Sequence, residues 1–423
     1  MADLKPTQPL WTRDFTVITL GSVVSLLGGV LSSFAISIMV LDYTGSTFLY
    51  ALFNVAYQLP MLIVPLLAGP YLDRMSRKKA ICRLDFLSSG LYLVFFFLLW
   101  RGWFNYPIML LGCLLNGIIG SVYMVAYESF YPNLITEGNY SKAYSISSVM
   151  MDMTGLAYPL GAVLYEKVGT PPLFLVAAAG YFIAACFEKS IRYQETHMDK
   201  APPADGAGHL RRFGEDFREG LDYIRAEKGL LVITVYFLVS GFTGNGCGSL
   251  YLPFFRNHGD LFSFWPIAAV TLYTIVSNFE TLGRFAGGLL HYKVKIPAEK
   301  KFAIALTVYV AVNLFEGLVL WLPIPLMALV FFVNGSFGVT SYNIRIAATQ
   351  SYVPDKKRAR FNGVFQMVTS VGGIVGSLAA GGLAEVIPER YVMGLFALLG
   401  LLAVYLFMYR GRAHVSAIYN RDL

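Results

Sequence analysis

Long apolar runs alternate with short polar interruptions along this chain. The runs lie near 15–41, 47–72, 80–100, 106–130, 140–164, 171–188, 229–255, 263–291, 301–322, 325–350, 361–385 and 389–409. Each is close to the ~20 residues that a helix needs to cross a hydrocarbon layer ~30 Å thick. They are continuously apolar, without the alternation that barrel strands show, so the pattern predicts helices. The expected fold class is an all-α polytopic membrane protein with twelve transmembrane helices. Between the sixth and seventh runs lies a polar stretch, 189–228. Its Pro/Ala/Gly-rich first part reads as a flexible linker. Its second part puts Phe213, Phe217, Leu221 and Ile224 at helical spacing, which predicts a surface helix lying on the membrane face. The expected organisation is therefore a bundle over 1–188, a cytoplasmic linker over 189–228 and a second bundle over 229–423.

Composition agrees with this reading: 56% of the 423 residues are hydrophobic and 14% are charged, against about 25% charged in soluble domains. The charges also set an orientation. With the N-terminus inside, 27 of the 33 Lys and Arg residues fall at inner positions. Four fall outside (Arg101, Lys167, Arg256, Arg390), and Arg284 and Arg345 lie within runs. This positive-inside bias places both termini in the cytoplasm. It accounts for the net charge of +7 through anionic lipid, with no nucleic-acid partner. The N-terminus reads as mature, since the first apolar run is too long for a signal core and no small-residue cleavage pattern follows it. Cys82, Cys113, Cys186 and Cys247 stand singly, as packing residues would, and suggest neither a zinc site nor a disulfide framework. No metal or cofactor is expected. The loops hold no catalytic constellation and no nucleotide-binding domain, so the chain reads as driven by ion gradients and as no enzyme.

The two halves look like repeats. Asn116, Gly117 and Gly120 of "NGIIG" in the fourth run are echoed by Asn334, Gly335 and Gly338 of "NGSFG" in the tenth, and each run exits through a proline, Pro132 or Pro354. Two pseudo-symmetric six-helix halves joined by a long inner loop place a substrate site between them near the membrane midplane.

The interruption "GPYLDRMSRKK" (69–79) carries one Asp and four Lys or Arg between two apolar runs. Gly69 would let the second helix approach a neighbour closely. Asp73 adds nothing to positive-inside orientation and suits the positive N-terminal end of a partner helix. Lys78 and Lys79, taken singly, read as solvated inner-loop charges. Gly69, Asp73, Arg74, Arg77 and Lys78 at this place resemble the signature loop of the major facilitator superfamily. "LDYTGS" (41–46), "RKKAICRLDF" (77–86) and "ATQSYVP" (348–354) resemble its macrolide-efflux and siderophore-export branch of drug:proton antiporters. The resemblance implies the major facilitator fold, alternating access and a functional monomer in the bacterial inner membrane. It also implies that Asp73 meets the start of the eleventh span only when the inner face is closed. The second half lacks the motif: "GGLLHYKVK" (287–295) puts His291 where the acid would stand, so the gate is expected to be one-sided. The chain also lacks the Arg before the glycines of span four that many proton antiporters carry. The glycine signature of span five survives only as Gly155, Pro159 and Gly161.

Ionisable residues at membrane depth are costly and are functional candidates by default. Asp152, in the middle of the fifth run, is the preferred proton carrier, with Glu280 and Glu128 as further candidates. Glu280 and Arg284, four apart on one helix face, suit mutual neutralisation. Glu128 and Arg345 suit an ion pair across the halves. The central helices implied by the resemblance offer Tyr123, Tyr127, Tyr236, Asn245, Tyr342, Asn343 and Arg345 as cavity residues. Tyrosine beside Met150, Met151 and Met153 makes an adaptable wall for bulky amphipathic molecules. "GNGCG" (244–248) lies within an apolar run, without a Walker lysine, and reads as a break where span seven bends. The leading expectation is a proton-coupled exporter of drug-like or siderophore-like molecules. The competing one is a nutrient-uptake symporter or facilitator.

Overall fold

The apolar runs begin and end where capping residues stand. Thr12 opens the first helix, its Oγ1 accepting from the Phe15 amide at 3.2 Å, and Gly45 closes it in the left-handed region at φ 66°. Ser76 and Asn105 open the third and fourth helices in the same way, accepting from the Lys79 and Ile108 amides at 3.1 and 3.2 Å. The computed structural model describes residues 9–72, 75–136, 139, 142–143, 146–147, 150, 155, 157–195, 206–293 and 296–421. No strand occurs among them.

The helices are α1 (Arg13–Thr44), α2 (Thr47–Leu72), α3 (Arg77–Trp100), α4 (Tyr106–Phe130), α5 (Tyr158–Val168), α6 (Thr170–Lys189), α7 (Gly206–Ala226), α8 (Lys228–Asn257), α9 (Ala269–Lys293), α10 (Lys301–Leu318), α11 (Ile324–Tyr352), α12 (Asp355–Ala384), α13 (Glu389–Ala403) and α14 (Arg412–Tyr419). A π-helical segment, Val404–Tyr409, extends α13. Ten segments among the described residues are long and apolar enough to cross a membrane. Of the other two expected spans, the eighth is α9, a full-length helix that carries Glu280 and Arg284. The first part of the fifth falls mostly outside the described residues, and its end is α5.

The chain divides into two compact units, Met1–Gly45 with Ala56–Leu210, and Ser46–Val55 with Arg211–Leu423. In the first, α6 packs on both α1 and α3, α4 lies on α3, and α5 lies on α1. Gly28 of α1 and Gly180 of α6 let those backbones meet: a Cβ added at either would lie 3.3 Å from a carbonyl oxygen of the other helix. In the second unit, α8 packs on α12 and α13, α9 on α11, and α10 on α11 and α13. The NG repeat has a common use in the two units. A Cβ on Gly117 would stand 2.5 Å from the Tyr57 carbonyl oxygen of α2, and one on Gly335 would stand 2.0 Å from the Glu280 carbonyl oxygen of α9. Each glycine thus seats the fourth helix of its half against the second.

Two expectations change. The apolar face of α7 is covered by protein: Ile224 is fully buried, and Phe217 and Leu221 pack on the core that it joins. Arg360 of α12 fixes this docking, donating to Asp216 at 2.7 Å and Glu219 at 2.9 Å. "GNGCG" makes no break, since α8 is continuous through it. There Gly246 serves close packing, with the Phe396 ring 2.2 Å from where its Cβ would be. The polar C-terminal tail forms α14, which buries Val415, Ile418 and Tyr419 in the second unit.

Candidate functional site

In the first unit the serines of α1 face α3 and α4 across a cavity of about 300 Å³. Ser25, Ser33, Tyr57, Met61, Asp85, Ser88, Asn116, Tyr123, Met124, Tyr158 and Tyr181 contribute to its wall. A smaller hollow of about 40 Å³ continues from it past Ser22, Tyr127 and Met150. The wall is largely apolar and aromatic with a few polar groups, the composition of a small-molecule site.

Tyr123, Tyr127 and Tyr131 recur every four residues on α4 and its exit, and their rings stack with centroids 5.8 and 5.4 Å apart. The hydroxyls of the first two are used differently. Tyr127 accepts from Ser22 of α1 at 2.9 Å. Tyr123 donates to the Glu188 carboxyl of α6 at 2.8 Å. Asp85 of α3 shares the cavity wall with Ser25 of α1 and lies within electrostatic reach of Glu188. Asp85 and Glu188 are 2% and 1% exposed, and Asp85 Oδ2 and Glu188 Oε2 have no hydrogen-bond partner among the described residues. Neither acid forms a salt bridge among the described residues, which is unusual for buried carboxyls.

Other sequence candidates fall in several surroundings. Gly69 lies in the last turn of α2, whereas Asp73, Arg74 and Asp152 lie outside the described residues. Arg77 and Lys78 form the first turn of α3, where their amides donate to the Glu195 carboxylate at 2.9 and 3.3 Å. Ser76 Oγ donates to the same carboxylate. The Arg77 guanidinium donates to the Ser129 carbonyl at 3.0 Å, and Lys78 Nζ to the Ile191 carbonyl. These basic residues therefore tie the start of α3 to α4 and to the chain leaving α6. Glu128 is exposed near the end of α4. Glu280 accepts from Arg284 at 2.7 Å, the i,i+4 neutralisation its spacing suggested. His291 shares a hydrogen bond with Thr340 at 2.8 Å, between α9 and α11.

Among the cavity candidates of the second half, Tyr236 is a core residue, 2% exposed, with its ring 4.8 Å from that of Tyr309. Asn245 donates to the Gly241 carbonyl of its own helix at 3.1 Å. Tyr342 is exposed and Asn343 half-buried. The Arg345 guanidinium sits over Phe237, Tyr342 and Phe365 at 5.0, 5.4 and 4.7 Å from their centroids. Asp85 and Glu188 were missed from sequence although both fall inside predicted runs, 80–100 and 171–188. Their charge at membrane depth was the available signal. All four cysteines are free, and no cluster of metal-ligand residues occurs among the described residues.

The sequence profile of the Major Facilitator Superfamily matches residues 18–322 and 295–420. The chain belongs to that superfamily. It is an integral, multi-pass membrane transporter of small molecules, not an enzyme. It is 25% identical over 291 residues to YkuC, an uncharacterized MFS-type transporter of Bacillus subtilis (strain 168), an alignment covering 67% of this chain and 66% of that relative's length. Among solved structures it resembles the nucleoside transporter NupG (TM-score 0.71, 12% identity, 95% of this chain and all of that one). It also resembles the POT family transporter PepTSo (TM-score 0.68, 12% identity, 96% and 99%). A bacterial homologue of the human lysosomal transporter Spinster, in an inward-facing conformation, is a third likeness (TM-score 0.63, 14% identity, 99% of both chains). At these identities the likeness is one of fold.

Proposed function

We propose that this transporter is a proton-coupled exporter of drug-like or siderophore-like molecules in the bacterial cytoplasmic membrane. It works by alternating access of two six-helix bundles, 1–188 and 229–423, with both termini in the cytoplasm. The observation that carries the reading is the cavity of about 300 Å³ in the first unit. Its tyrosines and methionines adapt to bulky apolar ligands, and its serines, Asn116 and Asp85 add hydrogen bonding. The gate belongs to the loop from Gly69 to Lys78, with Asp73 holding the start of the eleventh span when the cytoplasmic side closes. Arg77 and Lys78 support it by anchoring α3.

The test is a susceptibility panel in an efflux-deficient bacterial host expressing the chain, with and without a protonophore. The exporter reading predicts less accumulation of radiolabelled erythromycin or chloramphenicol, abolished by the protonophore. Greater accumulation of nutrients with unchanged drug levels would favour the uptake reading instead.

A further inference from the structure

Four helices of the first unit bring one polar group each to a single buried point: Ser25 from α1, Asp85 from α3, Tyr123 from α4 and Glu188 from α6. Ser25, Asp85 and Tyr123 line one cavity, Tyr123 bonds to Glu188 at 2.8 Å, and the two acids are electrostatic neighbours. Each acid keeps one buried oxygen without a partner among the described residues. A carboxylate wants donors on both oxygens, and each orphan oxygen leaves a place for an acidic hydrogen. No ion pair with a fixed cation reaches either acid among the described residues. The facing titratable groups are Tyr57 on α2, Cys82 on α3, Tyr123 and Tyr127 on α4, Tyr158 on α5, and Tyr181, Cys186 and the exposed Lys189 on α6. Ser25 is the group presented by α1. Asp85 and Tyr123 also line the substrate cavity, whereas Glu188 stands behind Tyr123.

We infer that Asp85 and Glu188 together form the proton-binding site of the transport cycle, with Tyr123 as the positioning residue that links it to the cavity. The inference rests on the export reading above. In the loading step, hydronium gives up one proton to the pair and leaves as water; the proton is held as a carboxylic acid O–H on one of the two acids. In the release step the same proton passes to water on the opposite side. A bulky molecule in the cavity presses on the Tyr123 ring and breaks its bond to Glu188, so substrate and proton compete for one arrangement of the node. That competition is what exchange in opposite directions requires.

The experiment uses the full-length chain in lipid nanodiscs and proteoliposomes. Infrared difference spectra across a pH titration follow the C=O stretch of protonated carboxylic acids. The expected result is a titrating band that is lost in both Asp85→Asn and Glu188→Gln and shifted in Tyr123→Phe, which removes one hydrogen-bond donor and little else. In proteoliposomes, Glu188→Gln, whose side chain lies outside the cavity lining, should retain radiolabelled erythromycin counterflow, which needs no net proton movement, and lose accumulation driven by a pH gradient. Retention of counterflow also shows that this variant is folded. A band unchanged in all three variants, or gradient-driven accumulation intact in Asp85→Asn, would overturn the inference. A wild-type chain that moves no erythromycin in either assay would overturn the export reading, while the infrared band would still decide the proton site.

Discussion

Replacing Gly335 by Ala adds one methyl group where the α11 backbone meets α9. That carbon would lie 2.0 Å from the Glu280 carbonyl oxygen and 3.0 Å from the Arg284 amide nitrogen, both backbone atoms of a regular helix. Ordinary contact begins near 3.4 Å, so the helices must part by about 1.4 Å at this level, the difference between the two distances. Neither neighbour can swing aside as a side chain would. Overpacking typically costs about 1–3 kcal/mol, and a clash with two rigid backbones belongs at the top of that range. At about 2 °C per kcal/mol, the melting temperature should fall by ~4–6 °C. The assay is thermal unfolding of purified protein in one detergent, followed by a thiol-reactive dye that reports the buried Cys113 and Cys247. Gly117→Ala, whose added carbon would lie 2.5 Å from the Tyr57 carbonyl oxygen, should show the same sign with a smaller shift. Gly338→Ala meets nothing within 4 Å and should match wild type or exceed it slightly, since alanine favours helix. Equal stability of Gly335→Ala and Gly338→Ala would refute the claim that the repeated NG motif exists to seat paired helices.

Arg345→Lys keeps the charge but loses the planar guanidinium stacked among Phe237, Tyr342 and Phe365; a loss of about 1–2 kcal/mol is expected in the same unfolding assay. Gly220→Leu would place side-chain atoms where a Cβ alone already comes within 2.8 Å of Val364 and 2.9 Å of the Arg360 carbonyl. It should undock α7, which limited trypsin digestion would register as faster cleavage around Arg218 and Arg225. Tyr165→Phe removes the hydroxyl that donates to both Asp42 oxygens at 3.0 and 2.8 Å, between α5 and α1. A stability loss of about 1.5–3 kcal/mol is expected for a bond to a charged acceptor, read by unfolding alongside Asp42→Asn.

Span positions were legible because the apolar runs stop at residues with a second physical signal. Thr12, Gly45, Ser76 and Asn105 are all caps, and each lies within about four residues of a predicted edge. The repeat was legible for a similar reason, since only small residues tolerate the approaches seen at Gly117 and Gly335. What covers an amphipathic face was not legible. Phe217, Leu221 and Ile224 have the spacing of a lipid-facing stripe, and only the tertiary structure puts protein there. The continuous course of α8 through "GNGCG" was missed because membrane helices use glycine for packing more often than for bending. In the site, residue types on α4 pointed to Tyr123 and Tyr127, but nothing local tells that one hydroxyl meets Ser22 and the other Glu188. Asp85 and Glu188 are 103 positions apart in sequence, on the antiparallel helices α3 and α6, which Cys82–Ala185 and Ser89–Ala178 hydrogen bonds join. Helix pairing makes those residues neighbours, and helix pairing is a property of the folded unit.

Proton-coupled movement of small molecules can be read directly as proton flux. Proteoliposomes holding the purified chain and a lumenal pH-sensitive dye, with no nucleotide present, should report a pH change that begins on adding erythromycin or chloramphenicol. The change should vanish in protein-free vesicles and in the presence of a protonophore. Drug movement across the same membranes without any accompanying change in lumenal pH would contradict the account.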